Sequence, residues 1–227
     1  MNPAYPIELN LAGREVVVAG GGTVAARKVA GLLEAGARVR VVSPSFVEEL
    51  AGRGDVTLQT QAYDASVLHG ALLVFACTDD PALNRRVADD ARAAGALCNV
   101  ADDPPNCDFM VPAVLRRGRL TVAVGTSGAS PALAAALRDR LEELLEAEYA
   151  QLVEELAQVR AEIREQAEPE DLRRRIFQTL CRECSLKLLR ARGVQAWRAW
   201  MRRVVRHHLE GRPGSPPAGG QGARRGQ

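Results

Sequence analysis

The stretch Val16 to Pro44, VVVAGGGTVAARKVAGLLEAGARVRVVSP, limits the folds open to this chain more than any other. Val16 to Ala19 is a short β-branched run of the kind that forms a buried strand. Gly20, Gly21 and Gly22 break that run, and the Ala-rich segment to about Ala35 continues as helix. Gly36 stops the helix, and Val39 to Val42 reads as a second strand. Strand, glycine turn, helix and strand within about thirty residues make the βαβ unit that holds a dinucleotide. In Gly20-x-Gly22-x-x-Ala25 the first glycine serves the tight turn and the second lets backbone approach a pyrophosphate. Ala25 is small enough for the helix to pack on the strand. Free N–H groups at the helix start, at Thr23 and Val24, face the phosphates, where the macrodipole also favours negative charge. No acidic residue ends the second strand to hold ribose hydroxyls. Ser43-Pro44-Ser45 stands there, with no arginine to meet a 2′-phosphate. NAD is therefore the expected cofactor, its ribose held by hydroxyls and backbone.

At 227 residues the chain has room for one full domain and a smaller appendage. A hydrophobic content of 47% and a charged content of 26% are those of an ordinary globular protein, and a net charge of +2 does not by itself call for nucleic acid. No apolar run approaches the length of a membrane span, so no membrane partner is expected. The start, MNPAYPIELNLAGRE, has neither the basic opening nor the apolar core of a signal peptide. Five scattered cysteines fit a reducing compartment, and a cytoplasmic location is expected.

The alternation continues beyond the first unit. Val56 to Gln61 and Leu72 to Ala76 read as strands. Asp80 as N-cap and Pro81 at the first helical position open a helix to about Ala94. Leu97 to Val100 is a fifth strand, followed by a loop from Ala101 to Asp108. The expected fold class is α/β: a Rossmann-type doubly wound parallel sheet, then a small α+β region and a helical C-terminal segment. In the small region Met110 to Leu115 and Leu120 to Val124 form a hairpin joined by Arg116-Arg117-Gly118-Arg119. The turn Gly125 to Pro131 leads into a helix past Leu141, with Ser130 as N-cap and Pro131 first in the helix. Its hydroxyls and backbone N–H groups form a seat for an anion.

From Leu145 the residues Leu145, Tyr149, Leu152, Leu156, Val159 and Ile163 recur at steps of four and three, a seam for a partner helix. The residues between them are rich in glutamate. Pro169 breaks the helix, and Leu172 to His208 carries the opposite charge, with Glu183 its only acid. A helical hairpin or a subunit interface would bring the two signs together. The segment 211–227 has the composition of a disordered tail. The expected domains are 1–108 (NAD-binding), 109–148 (dimerisation and substrate binding), 149–210 (helical) and the tail. Cys181-x-x-Cys184 is half of a zinc spacing with no second pair, and no metal site is expected.

The motifs, taken together and in order, resemble the dehydrogenase/chelatase module of sirohaem synthases, the precorrin-2 dehydrogenase family. The likeness begins at Tyr5-Pro6 and runs through GGGTVAARK, VVSP, Ala76-Cys77-Thr78-Asp79-Asp80 and Asn84. It continues through Asn99-Val100-Ala101-Asp102-Asp103-Pro104, Cys107-Asp108-Phe109 and Pro112-Ala113. It ends with Ser130-Pro131-Ala132-Leu133-Ala134 and Leu137-Arg138. About two-thirds of the chain is covered. The resemblance implies oxidation of precorrin-2 to sirohydrochlorin with NAD⁺, with insertion of Fe²⁺ to give sirohaem as a second activity, in a homodimer. A fused methyltransferase is not expected at this length. Where the family often has two small hydroxyl residues, this chain has Gly125-Thr126, so Thr126 alone keeps a hydroxyl.

The same resemblance places the catalytic carboxylate on Asp102 and adds Thr78 and Asn99 to the cofactor-binding set of Gly20, Gly22, Thr23, Val24, Ser43, Pro44 and Ser45. Asp102 follows the fifth strand at the carboxyl edge of the sheet, where ligands bind in such folds. As a base it accepts a proton in oxidation, and pyrrole N–H protons in chelation. The substrate carboxylates are expected to meet Arg116, Arg117, Arg119 and Arg138, with Thr126, Ser127 and Ser130 supplying the helix-terminus seat. One competing reading is a regulatory module that binds NAD(H) and signals through its helical tail. Another is nucleic-acid contact by Leu172 to His208, where Trp197 and Trp200 accompany the arginines; a nucleic-acid partner is the weaker expectation.

Overall fold

The computed structural model describes residues 4–211, and the expected tail from residue 212 onward lies outside them. Contacts divide the chain into two compact units. One holds the residues up to Val111 together with Ser127–Ser130; the other holds Pro112–Thr126 and the residues from Pro131.

The first unit is built on five parallel strands: β1 (Glu15–Ala19), β2 (Arg38–Ser43), β3 (Thr57–Thr60), β4 (Leu73–Ala76) and β5 (Leu97–Val100), in the order β3-β2-β1-β4-β5. The connections are α1 (Thr23–Glu34), the short α2 (Glu48–Ala51), a 3₁₀ turn at Ala65–Leu68 and α3 (Pro81–Ala93). Its central strands are apolar throughout because alternate side chains feed two cores. Val16, Val18, Val39, Val41 and Phe75 pack against Ala25 and Val29 of α1. Val17, Ala19, Val42, Val74 and Ala76 pack with Val87 and Ala88 of α3. Asp80 caps α3 as expected, accepting from the N–H groups of Ala82 and Leu83, with Pro81 first in the helix. The strand order reverses between β1 and β4. A crevice opens at such a point outside the carboxyl ends of the strands.

In the second unit, β6 (Ala113–Arg117) and β7 (Leu120–Val124) form an antiparallel hairpin against α4 (Pro131–Leu144). Arg116 and Arg117 belong to β6, pairing with Thr121 and Leu120, which corrects the expected four-residue joint to the two residues Gly118 and Arg119. Gly118 has a φ of 56°, which suits the tight turn of a two-residue hairpin.

Three helices follow: α5 (Ala147–Gln166), α6 (Glu170–Leu180) and α7 (Glu183–Leu209). The seam on α5 finds its partner within the chain: Leu152, Val159 and Ile163 are buried with Ile176, Leu180, Trp197, Trp200 and Val204. The charges also meet within the chain. Arg198 grips Glu155 at 2.6 and 2.9 Å, and Arg190 lies 3.1 Å from Glu146. Trp197 and Trp200 are core residues, 0% and 1% exposed, so neither offers a face for stacking a base. Gly193 interrupts α7 at φ 72°, ψ 179°, a conformation open only to glycine, and so divides the helix into two arms.

Candidate functional site

The glycine turn after β1 is locked from two sides. Gly20 has a φ of 120°, and a Cβ there would lie 2.4 Å from the Cys77 carbonyl oxygen at the end of β4. At Gly21 a Cβ would meet the Ser45 carbonyl oxygen at 1.9 Å, and the Gly21 carbonyl accepts from Val47 N–H at 2.9 Å. The loop after β2 is therefore drawn down onto the turn. Ser43, 8% exposed, faces the Ser45 N–H at 3.5 Å, while Pro44 and Ser45 are exposed.

Gly22 differs from its two neighbours. Its φ is −86°, which any residue adopts, and a Cβ there would have no atom within 4 Å. Nothing among the described residues requires glycine at this place. It caps α1 without a side chain, no acid follows in the first turn, and Thr23 is exposed. The N–H groups of Thr23, Val24 and Ala25 have no acceptor within the helix. An open backbone surface at a helix N-terminus fits a dinucleotide pyrophosphate.

Asp102 lies just past β5, whose last residue, Val100, pairs with Ala76 of β4. The loop that carries it is fastened back along β5. The Asp108 carboxylate accepts from Cys98 N–H at 2.9 Å, Asn99 donates to the Phe109 carbonyl at 2.9 Å, and Cys107 Sγ contacts both Val100 N and O at 3.2 Å. Asp102 itself has a φ of 57°. Among the described residues, only Asp102 and Ser127 (φ 51°) are non-glycines with positive φ. Backbone held in this region by its surroundings is a mark of functional positions. The carboxylate is exposed and takes no hydrogen bond or ion pair among the described residues. Its charge reaches the buried Cys77 thiol at the end of β4. Burial above all pushes that thiol up to about 11; Lys28 pulls it down, and Asp102 adds to the rise.

The turn Ser127–Ser130 belongs to the same unit. A Cβ at Gly128 would lie 3.5 Å from Met110 Sδ and 3.7 Å from Pro104 Cβ, so the turn rests on the loop that carries Asp102. The structure thus gathers Gly20, Gly22, Thr23, Val24, Ser43, Asp102 and Ser127 in one unit. Thr78 and Asn99 are there too, but their side chains are engaged. The Thr78 hydroxyl donates to Asn84 at 2.7 Å, Asn84 donates to the Thr78 carbonyl at 3.0 Å, and the Asn99 amide holds Phe109. Both shape the rim from beneath. Asn84 is the buried partner whose role sequence reasoning left unassigned, and its spacing of six residues from Thr78 was the available signal.

Arg116, Arg117, Arg119, Thr126 and Arg138 lie in the second unit. There Arg117 pairs with Glu142 at 2.8 Å, Arg119 with Glu154 at 2.8 Å and Arg138 with Asp139 at 2.5 Å. These pairs are largely exposed, so the arginines can exchange partners at little cost.

A parallel sheet of order 3-2-1-4-5, with a bare helix N-terminus after its central strand, defines a dinucleotide-binding protein of the Rossmann class. Residues 7–113 match the family described as "Putative NAD(P)-binding", and residues 117–144 match the family described as "Sirohaem biosynthesis protein central". The siroheme synthase of Nitrosococcus oceani is 44% identical over 163 residues, covering 70% of this chain and 35% of that protein. The siroheme synthase of Nitrosospira multiformis is 35% identical over 212 residues, covering 90% of this chain and 45% of that protein. A solved structure, "SirC, precorrin-2 dehydrogenase", superposes with a TM-score of 0.71 at 25% identity, covering 88% of this chain and 99% of that one. The chain is thus similar to siroheme synthases over its NAD(P)-binding and central regions, and to a precorrin-2 dehydrogenase over most of its length. It spans less than half the length of these curated relatives. The cofactor expected from the sequence, NAD, is borne out at the level of the NAD(P)-binding family and the precorrin-2 dehydrogenase likeness. No helix among the described residues is long and apolar enough to cross a membrane.

Proposed function

We propose that this chain oxidises precorrin-2 to sirohydrochlorin with NAD⁺. The observation that carries the reading is Asp102: an exposed, unpaired carboxylate in strained backbone, two strands from a glycine turn shaped for a pyrophosphate. The bound nicotinamide supplies a hydride acceptor. The chain's own residues do the rest. The first turn of α1 holds the pyrophosphate on the N–H groups beside Gly22, and the loop Ser43-Pro44-Ser45 borders the ribose. Asp102 accepts the proton that leaves the macrocycle as the hydride leaves, so that two electrons and one proton pass to the cofactor and one proton to the carboxylate. Thr78 and Asn99 keep the rim in shape. Ser127 and Ser130, with Thr126, offer hydroxyls to the substrate, and Arg116, Arg117, Arg119 and Arg138 serve its acetate and propionate groups.

The same carboxylate suits the second reaction of the family, in which Fe²⁺ enters as a substrate and two pyrrole protons leave. The region 109–148 is read as the dimerisation and substrate-binding part of a homodimer, and 149–210 as a helical domain that supports it. Five unpaired cysteines support a cytoplasmic setting. The test is direct: purified chain, precorrin-2 and NAD⁺ should give NADH and sirohydrochlorin in equal amounts. Absence of NADH with authentic substrate, from protein that binds NAD⁺, would remove the proposal. Added Fe²⁺ should then convert sirohydrochlorin to sirohaem faster than in protein-free buffer.

A further inference from the structure

Lys28 is a half-buried cation on α1 for which neither the fold nor the cofactor accounts. Its Nζ lies 5.6 Å from the ring centroid of Phe75, and that ring stands edge-on to Phe109 at 5.4 Å. Phe75 sits on β4 between Val18 of β1 and Asn99 of β5. The lysine stem therefore leaves α1 and ends over β4, whose Phe75 ring meets Phe109 at the far end of the loop that bears Asp102. Burial above all raises the Cys77 and Cys107 thiols; Lys28 opposes the rise at both, and Asp102 adds to it at Cys77. Arg27, exposed beside Lys28, adds to the same positive potential at Cys77. Yet Lys28 has no carboxylate within ion-pair distance and no hydrogen bond among the described residues; a ring face is its one partner there.

A half-buried lysine whose ammonium meets only a ring face has its charge open to an anion. The cofactor pyrophosphate has a seat of its own in this reading. Its proposed seat is the run of N–H groups at Thr23, five residues earlier and roughly 7 Å back along the helix axis at about 1.5 Å per residue, and the NAD⁺ affinity of the variant below separates the two anions. We propose that Lys28 binds a carboxylate side chain of the substrate, holding a polycarboxylate macrocycle by its edge beside Asp102. This rests on the reading of the substrate given above. It assigns to the NAD-binding unit its own substrate-binding cation, apart from the arginines of the second unit.

Lys28→Met keeps an unbranched stem over Phe75 and removes the charge, while Lys28→Arg keeps the charge. In the NADH-forming assay Lys28→Met should raise KM for precorrin-2 about tenfold, the effect of one lost charge-assisted contact. Its kcat should stay within about twofold, with NAD⁺ affinity and Tm unchanged, and Lys28→Arg should restore most of the affinity. An unchanged KM, or an equal loss in Lys28→Arg, overturns the assignment. Titration with uroporphyrin, an oxidation-inert macrocycle of the same carboxylate type, separates the two proposals. Should the wild type bind it and form no NADH from precorrin-2, the dehydrogenase reading fails, and weaker binding by Lys28→Met still upholds the lysine's role. Equal binding by wild type and Lys28→Met sinks the lysine alone, and no binding by either sinks it too.

Discussion

A single residue can be read by asking what the protein needs from it and what is left over. Gly20 is needed by the fold, since any side chain would strike the Cys77 carbonyl; Gly22 is not, since a Cβ there meets nothing. The proposed reason for glycine at position 22 is the approach of a ligand. Gly22→Ala should therefore fold with an unchanged Tm and bind NAD⁺ at least about tenfold more weakly, a loss of roughly 1.4 kcal/mol. Calorimetric titration beside a thermal melt checks both halves, and equal affinity would detach Gly22 from the cofactor. Asp102 permits the same separation. Asparagine tolerates left-handed backbone, so Asp102→Asn should keep its φ of 57° without new strain. It should lower kcat by about 10²–10⁴, the range for losing a general base, with NAD⁺ affinity intact. Unaltered turnover would clear Asp102 of the chemistry. Gly20, Gly22 and the position of Asp102 were legible in the sequence because each is fixed by a strand end. The commitments of Thr78 and Asn99 were not. Whether a polar side chain faces a ligand or a neighbour depends on the turn geometry around it, as with the Thr78–Asn84 lock.

Elements show where pattern alone stops. The spacing on α5 announced a partner helix, and the glutamate and arginine stretches announced that opposite charges would meet. Nothing in a heptad-like pattern says whether the partner is in the same chain. The structure answers with α6 and α7 inside the same unit, where Glu155, 5% exposed, is satisfied by Arg198. The fold of these helices also creates a charged corner that sequence could not show. His208 on α7 meets Thr179 of α6 at 3.2 Å, and the threonine hydrogen is given to the Arg175 carbonyl, which leaves the ring nitrogen to donate. Burial first, then His207, Arg175 and Arg182, hold His208 below its ordinary value. A histidine whose folded pKa is depressed binds its proton more tightly when unfolded. Its contribution to stability is present at neutral pH and is lost as the pH falls below about 6.5, the ordinary value, toward the lower folded one. The wild type should accordingly lose more Tm between pH 7.5 and pH 5 than His208→Gln does. Parallel losses in the two proteins would show that the corner does not govern acid sensitivity.

At the scale of the whole molecule, the parallel sheet and the helical C-terminus followed from the alternation of apolar runs and glycine stops. The grouping of the hairpin and α4 with the helices did not, because long-range packing of a short hairpin leaves no periodic trace. The helix α4 poses the remaining question. Its sequence, PALAAALRDRLEEL, is apolar enough for a core, yet among the described residues it buries only Ala134. Leu133, Leu137 and Leu144 are 53%, 38% and 68% exposed, and their spacing of four and seven residues puts them on one helical face. A contiguous apolar stripe on a helix beside a small sheet is the kind of surface that a second copy covers, most simply through a two-fold axis that brings like to like. Sedimentation equilibrium should therefore give a mass twice that of the chain at micromolar concentration. Leu137→Glu with Leu144→Glu should reduce it to one chain while leaving the helical circular dichroism unchanged, since neither side chain is buried in the single chain. The same double variant should keep its affinity for NAD⁺, because the glycine turn and α1 lie in the other unit. If the double variant stays at twice the chain mass, α4 is not the surface that pairs, and its leucines need another explanation.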